Sequence, residues 1–104
     1  MKQSGSAPAQ LEMQGAGRSR VTGALDFSTV TGLLPRGAAA IADGRVEVID
    51  LAGVTGSDSS ALALLIEWLS LAKEARCSLR FENIPAQLLQ LARLSEVEEL
   101  LVPR

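Results

Sequence analysis

Residues 45–51 read Arg-Val-Glu-Val-Ile-Asp-Leu, the chain's densest run of β-branched and apolar residues. A few residues later, from Ser59 to Arg76, apolar positions recur at helical spacing. This joint of strand, short link and long helix constrains the fold more than any other feature. A near-continuous apolar strand has both faces covered. A strand that returns to the same sheet after a helix must pair in parallel.

The rest of the chain extends the pattern. Leu11 and Met13 alternate with Gln10, Glu12 and Gln14, and the alternation resumes at 18–25 with Val21 and Leu25. Gly15-Ala16-Gly17 lies between them, which predicts a hairpin. Val30, Leu33, Leu34 and Ile41 then fall at helical spacing. Gly32, Pro35 and Gly37 predict that this helix is interrupted or starts late. Residues 52–57, carrying Gly53 and Gly56, read as a loop. Residues 78–82 read as a strand, with Leu79 and Phe81 on one face. Pro85 opens a helix whose Leu88, Leu91, Ala92 and Ser95 share a side, and 96–101 make a last helical turn. The order predicts an α/β fold, a mixed sheet of about four strands carrying helices. We expect a disordered tail over 1–9 and one domain over 10–102.

Composition removes whole classes of function. The chain has no histidine, which excludes Ser-His-Asp and Cys-His catalysis and histidine-bound metals. The single cysteine, Cys77, permits no internal disulfide or cysteine-rich zinc site and reads as a lone buried thiol. No metal and no cofactor is expected. Phe27, Trp68 and Phe81 are the only aromatic residues, too few for a stacking platform. The net charge of −2 offers no basic excess for phosphates, so nucleic acid is not an expected partner. The most apolar window, 61–75, is broken by Glu67, Ser70, Lys73 and Glu74, so no membrane insertion is expected. Residues 1–10 lack the apolar core of a signal peptide, and a cytoplasmic protein is expected.

The link from strand to helix, Val54-Thr55-Gly56-Ser57-Asp58-Ser59-Ser60-Ala61, is the candidate site. Such turns lie at the carboxyl edge of parallel strands, where ligands and partners dock. Asp58 and Ser59 are both suited to cap the helix, and Ser59 would lie where the helix dipole favours an anion. No lysine follows the glycines, as a phosphate-binding loop requires, and no Gly-x-Ser-x-Gly elbow is present. Plain capping is the competing account. The helix also has an apolar arc covering more than half its circumference, with Glu67, Ser70 and Glu74 on the remainder. One sheet face needs a stripe of only about 100°. Either a neighbouring helix of the same domain or a protein partner covers the excess.

These residues resemble the STAS domains of sulfate transporters and anti-sigma-factor antagonists. Asp58-Ser59-Ser60-Ala61-Leu62 is similar to their Asp-Ser/Thr-Ser/Gly-Gly-Leu turn, with Ala61 where many members have glycine. Gly23-Ala24-Leu25-Asp26 resembles the family's Gly-x-Leu-Asp element, and Asp50-Leu51 its strand end. Leu62-Ala63-Leu64-Leu65, Leu71-Ala72-Lys73, Leu91-Ala92-Arg93-Leu94 and the terminal Pro103-Arg104 resemble the MlaB-like subgroup, subunits of phospholipid-transport ABC systems.

The resemblance implies helices packed mainly on one side of the sheet, and a non-enzymatic protein. Its partner would be the cytoplasmic, MlaF-like ATPase subunit of the transporter, with the membrane permease contacted only indirectly. The alternative it implies is an anti-sigma-factor antagonist in a phosphorylation-controlled partner switch, with Ser59 as the phosphorylated residue. The expected partner-binding positions are Asp58, Ser59, Ser60, Ala63, Glu67 and Ser70, with Leu88 and Leu89 behind them.

Overall fold

The computed structural model describes residues 9–102. Of the expected tail only Ala9 falls within them, half-buried against the core. The rest of that expectation lies outside the described residues. Four strands form one sheet in the order β1-β2-β3-β4: β1 Gln10–Gly15, β2 Arg18–Leu25, β3 Val48–Ser57 and β4 Arg80–Glu82. The helices are α1 Phe27–Ala42, α2 Ser59–Glu74, α3 Ala86–Leu94 and the short α4 Glu98–Leu101. β1 and β2 are antiparallel, and β2–β3 and β3–β4 are parallel. The sheet is therefore mixed, as the sequence predicts.

The hairpin forms where expected. Ala16 and Gly17 both have positive φ, the condition for a two-residue turn that matches strand twist. β2 then alternates strictly, with Ser19, Val21, Gly23 and Leu25 buried. The register sets Leu11 beside Val21, Ser19 beside Ile49, and Ile49 beside Phe81, so one face of the sheet feeds a single core.

The other face is polar. Arg18, Val48 and Arg80 lie side by side in one row, and Arg20, Asp50 and Glu82 in the next. Arg18 reaches across β3 to pair with Glu82, Arg80 joins the same carboxylate at 3.5 Å, and Asn83 donates to Asp50 at 2.9 Å. Val48 is only 5% exposed although it stands outside the main core cluster. It sits between its register neighbours Arg18 and Arg80, whose aliphatic stems can shield it. The expected covering of β3 on both faces therefore holds only at Val48: further along the outer face Asp50 is half-buried and Ala52 is exposed.

Two expectations need correction. The first helix is neither interrupted nor late. It runs unbroken from Phe27 through Pro35 to Ala42. Asp26 and Thr29 form a reciprocal capping box at its start, while Leu33, Ala40 and Ile41 are buried along it. Pro35 removes only the bond to the carbonyl of Thr31; both residues are exposed, so water can serve that carbonyl. Gly37 is present for space. A Cβ there would lie 2.3 Å from Cε2 of Trp68, which is fully buried and donates its indole N–H to the Leu34 carbonyl at 3.2 Å.

The second correction concerns β3. Residues 52–57, expected as a loop, are its second half, and the strand starts at Val48 rather than at 45. Thr22, Gly23, Ala24 and Leu25 pair with Gly53, Val54, Gly56 and Ser57, with two register irregularities. A Cβ on Gly53 would lie 2.7 Å from Cγ2 of Thr22 and 3.0 Å from the Val21 carbonyl oxygen. The glycine that reads as a loop signal marks close approach of two strands instead.

The last segments form near their expected places, with β4 reduced to three residues and α3 starting just after Pro85. Cys77, expected as buried, is half-buried and unpaired, with Sγ 3.5 Å from the Ile41 carbonyl oxygen. Among the described residues no helix is long and apolar enough to cross a membrane.

Candidate functional site

β2 and β3 end together, with Leu25 beside Ser57. Each strand is followed at once by a capping aspartate and a helix, so α1 and α2 begin side by side at the carboxyl edge of the sheet. A hydrogen bond joins the two turns, from the Asp58 amide to the Leu25 carbonyl at 3.2 Å.

The two caps differ. Asp26 accepts from the amides of Ser28 (2.9 Å) and Thr29 (3.2 Å) and from the Ser28 hydroxyl at 2.7 Å. Thr29 Oγ1 accepts from the Asp26 amide at 2.9 Å and donates to the Ala24 carbonyl at 2.8 Å. The Ser28 hydroxyl, helped by the Ser28 and Thr29 amides, holds the Asp26 carboxyl below its ordinary range against the opposing effect of desolvation. Asp58 caps α2 with a single bond, from the Ser60 amide at 2.8 Å. The third helical position there is Ala61, which has no group to reciprocate.

Ser59 is the first residue of α2 and is exposed. Asp58 alone supplies the side-chain cap, so the question the sequence left open between these two residues is resolved in favour of Asp58. The Ser59 hydroxyl makes no hydrogen bond to another described residue and points to no structural task. Ser57, which the sequence reading passed over, has a buried hydroxyl without a partner among the described residues.

Below the two helix starts, α1 and α2 enclose an open groove of about 380 Å³. Phe27, Val30, Thr31 and Leu34 form the α1 wall. Ser60, Ala63, Leu64 and Glu67 form the α2 wall. Phe27 is 77% exposed, an unusual position for an aromatic side chain in a domain with so few. Its place directly after Asp26 was the available signal for the α1 wall.

Of the expected positions, Asp58, Ser59, Ser60, Ala63 and Glu67 therefore fall together, and exposed Ser70 continues their line along α2. Leu88 does not join them. It is 0% exposed within the core, because the buried side of α3 turns inward there, and it presents nothing to a partner. Leu89 is half-buried in a different depression, beside Phe81, Ile84 and Leu101. The wide apolar arc of α2 is also accounted for inside the domain. α1 packs against it on one side and α3 with α4 on another, burying Ala61, Leu62, Leu64, Leu65, Trp68 and Ala72. Of the two accounts of the arc, the neighbouring helices supply the cover. Among the described residues no cluster of three or more acidic or cysteine side chains could hold a metal ion.

The chain belongs to the STAS-domain family: the family model described as "Mlab, STAS domain" matches residues 9–103. Solved structures of SpoIIAA share the fold. The Bacillus cell fate determinant SpoIIAA in its phosphorylated form is 19% identical, with a TM-score of 0.67 over 90% of this chain and 88% of that one. The anti-sigma factor antagonist SpoIIAA in its unphosphorylated form is 20% identical, with a TM-score of 0.65 over 83% and 82%. At these identities the likeness establishes the fold. No curated protein matches the chain significantly. STAS domains are generally non-catalytic modules of regulation or protein–protein interaction.

Proposed function

We propose that this chain is the non-enzymatic STAS subunit of an Mla-type ABC transporter for phospholipid. In this role it binds the transporter's cytoplasmic ATPase subunit, supports its activity, and so serves outer-membrane lipid asymmetry. It reaches the inner membrane only through that partner. The observation that carries the reading is Ser59: an exposed serine at a helix start, not engaged in capping, beside an open apolar groove. The MlaB-like segments and the description of the matching family model favour the transporter.

The second reading is an anti-sigma-factor antagonist, favoured by the shared fold with SpoIIAA. Both readings use the same surface. A phosphate on Ser59 would add about −1.5 to −2 charge to it, suiting the helix start but opposing burial against a partner. Purified protein is tested for stable complex formation with the ATPase subunit and with a kinase-like anti-sigma factor. A complex with the ATPase subunit that raises its turnover supports the first reading. A complex with the anti-sigma factor alone replaces it with the second.

A further inference from the structure

The two edges of the sheet are built differently. β4, at one end, is only three residues long. β1, at the other, runs for six residues and carries no proline, lysine or arginine, the residues with which proteins guard an edge strand. Its only guards are Glu12 and a register irregularity between Met13 and Gly15. β1 pairs with β2 alone, so its outer edge presents backbone N–H and C=O groups with no strand partner among the described residues. Leu11 and Met13 share the core face, beside buried Val21 and Ser19. Leu11 is buried there, whereas Met13 is left 43% exposed.

The helix beside this edge holds a glycine that the domain itself does not require. Gly32 lies inside α1, where glycine is less stable than alanine, yet a Cβ there would meet nothing within 4 Å. With Ser28, Leu33 and Arg36 of α1, and with Ala9 just before β1, it lines an open hollow of about 320 Å³. This hollow shares only Thr31 with the groove beside Ser59 and takes no residue from α2.

We infer that β1 pairs antiparallel with β1 of a second copy of this chain, about a twofold axis at Leu11, joining the two sheets into one. Pairing about such an axis keeps both core faces on the same side, whichever residue the axis passes. With Glu12 on the axis, two carboxylates would oppose one another, which destabilises a pair of strands. With Met13 on the axis, the pairing would run into the irregularity before Gly15. With Leu11 on the axis, each Gln10 amide faces the carboxylate of the second copy's Glu12. Each Met13 then falls opposite the second copy's Ala9, at the hollow that Gly32 keeps open. The exposed thioether of one copy and the empty space of the other are complementary, and the twofold axis uses both pairs at once. Ser59 follows β3, two strands from this edge, so the inference does not depend on the partner proposed for it.

The test is sedimentation equilibrium of the full chain from about 10 μM to about 1 mM, where a reversible dimer is expected. Gly32→Gln, at an exposed helical position, should melt higher than wild type and yet weaken the dimer about tenfold or more. Met13→Lys brings a cation to the second copy's Arg36 and should weaken the dimer as much, with the melt unchanged. Register is read at exposed Gln10: Gln10→Lys should tighten the dimer about threefold and Gln10→Glu loosen it by a similar factor, because each faces the second copy's Glu12. Leu94→Lys, at an 82% exposed position on α3, should change nothing. A monomer at every concentration would overturn the inference, as would a dimer indifferent to Gly32→Gln and Met13→Lys. A dimer that Ala63→Arg dissociates would overturn it too, since the contact would then lie in the groove beside Ser59. Gln10 variants that act alike would overturn the register.

Discussion

The starts of α1 and α2 are near neighbours with different constructions. At α1 every polar side chain of the turn is engaged: Asp26 accepts three hydrogen bonds, and Thr29 closes the box and ties back to Ala24. At α2 one bond to Asp58 does the capping, and the serine beside it is left exposed. The same strand-to-helix joint is thus used twice, once closed on itself and once left open. A hydroxyl engaged in its own helix is unavailable to a partner, whereas Ser59 is available without any cost to the fold.

The largest effect is expected from destroying the spacing on which the comparison depends. Gly37→Ala places a methyl in the Trp68 ring, at a distance no real Cβ adopts. Forcing α1 and α2 apart should cost about 3 kcal/mol, the upper part of the range for overpacking, read by urea denaturation. Next comes the difference between the caps. Asp26→Ala should lower the melting temperature more than Asp58→Ala, because fewer bonds depend on Asp58. Equal losses would mean that the α1 box adds nothing.

Acid should act on the closed turn. The Asp26 carboxyl is held below its ordinary range first by the Ser28 hydroxyl, Asp50 by Asn83 and the Ala52 amide, and Glu82 by Arg18. A depressed folded-state pKa contributes stability that is complete above the unfolded value and is lost as pH falls through the folded one. Melting temperature should therefore be flat from about pH 7 to about 5 and decline below about 4. Asp26→Asn, which keeps a capping side chain, should make that decline shallower. An unchanged acid slope in the variant would show that Asp26 contributes nothing to it.

Local signals made much of this legible. Alternation found the hairpin, Asp-Ser-Ser found the start of α2, and Pro85 found the start of α3. What failed was the reading of Gly53 and Pro35 as breaks. Gly53 is set by the Thr22 and Val21 atoms of a neighbouring strand, and Pro35 is tolerated because the carbonyl it leaves unpaired belongs to exposed Thr31. Both causes lie outside the local window. The site shows the same limit. Its α2 wall could be read from the helix that carries Ser59, but its α1 wall depends on which helix lies alongside. Leu88 could not be told from Leu89 until the packing of α3 was fixed.

The smallest expected change in stability belongs to Ser59, and it carries the central claim that this serine serves a partner rather than the helix. Ser59→Ala should melt within about 0.5 kcal/mol of wild type, as surface changes away from caps do. Ser59→Glu should be neutral or stabilising by about 0.3–1 kcal/mol, since it adds a carboxylate to a helix start. The direct measurement is the affinity of Ser59→Glu for the proposed partner, the ATPase subunit of an Mla-type transporter, taken beside its melting curve. We predict a melt no lower than wild type with binding weakened about tenfold or more, because the new charge must be desolvated at the interface. Full binding with a wild-type melt would contradict the account and move the partner surface away from Ser59.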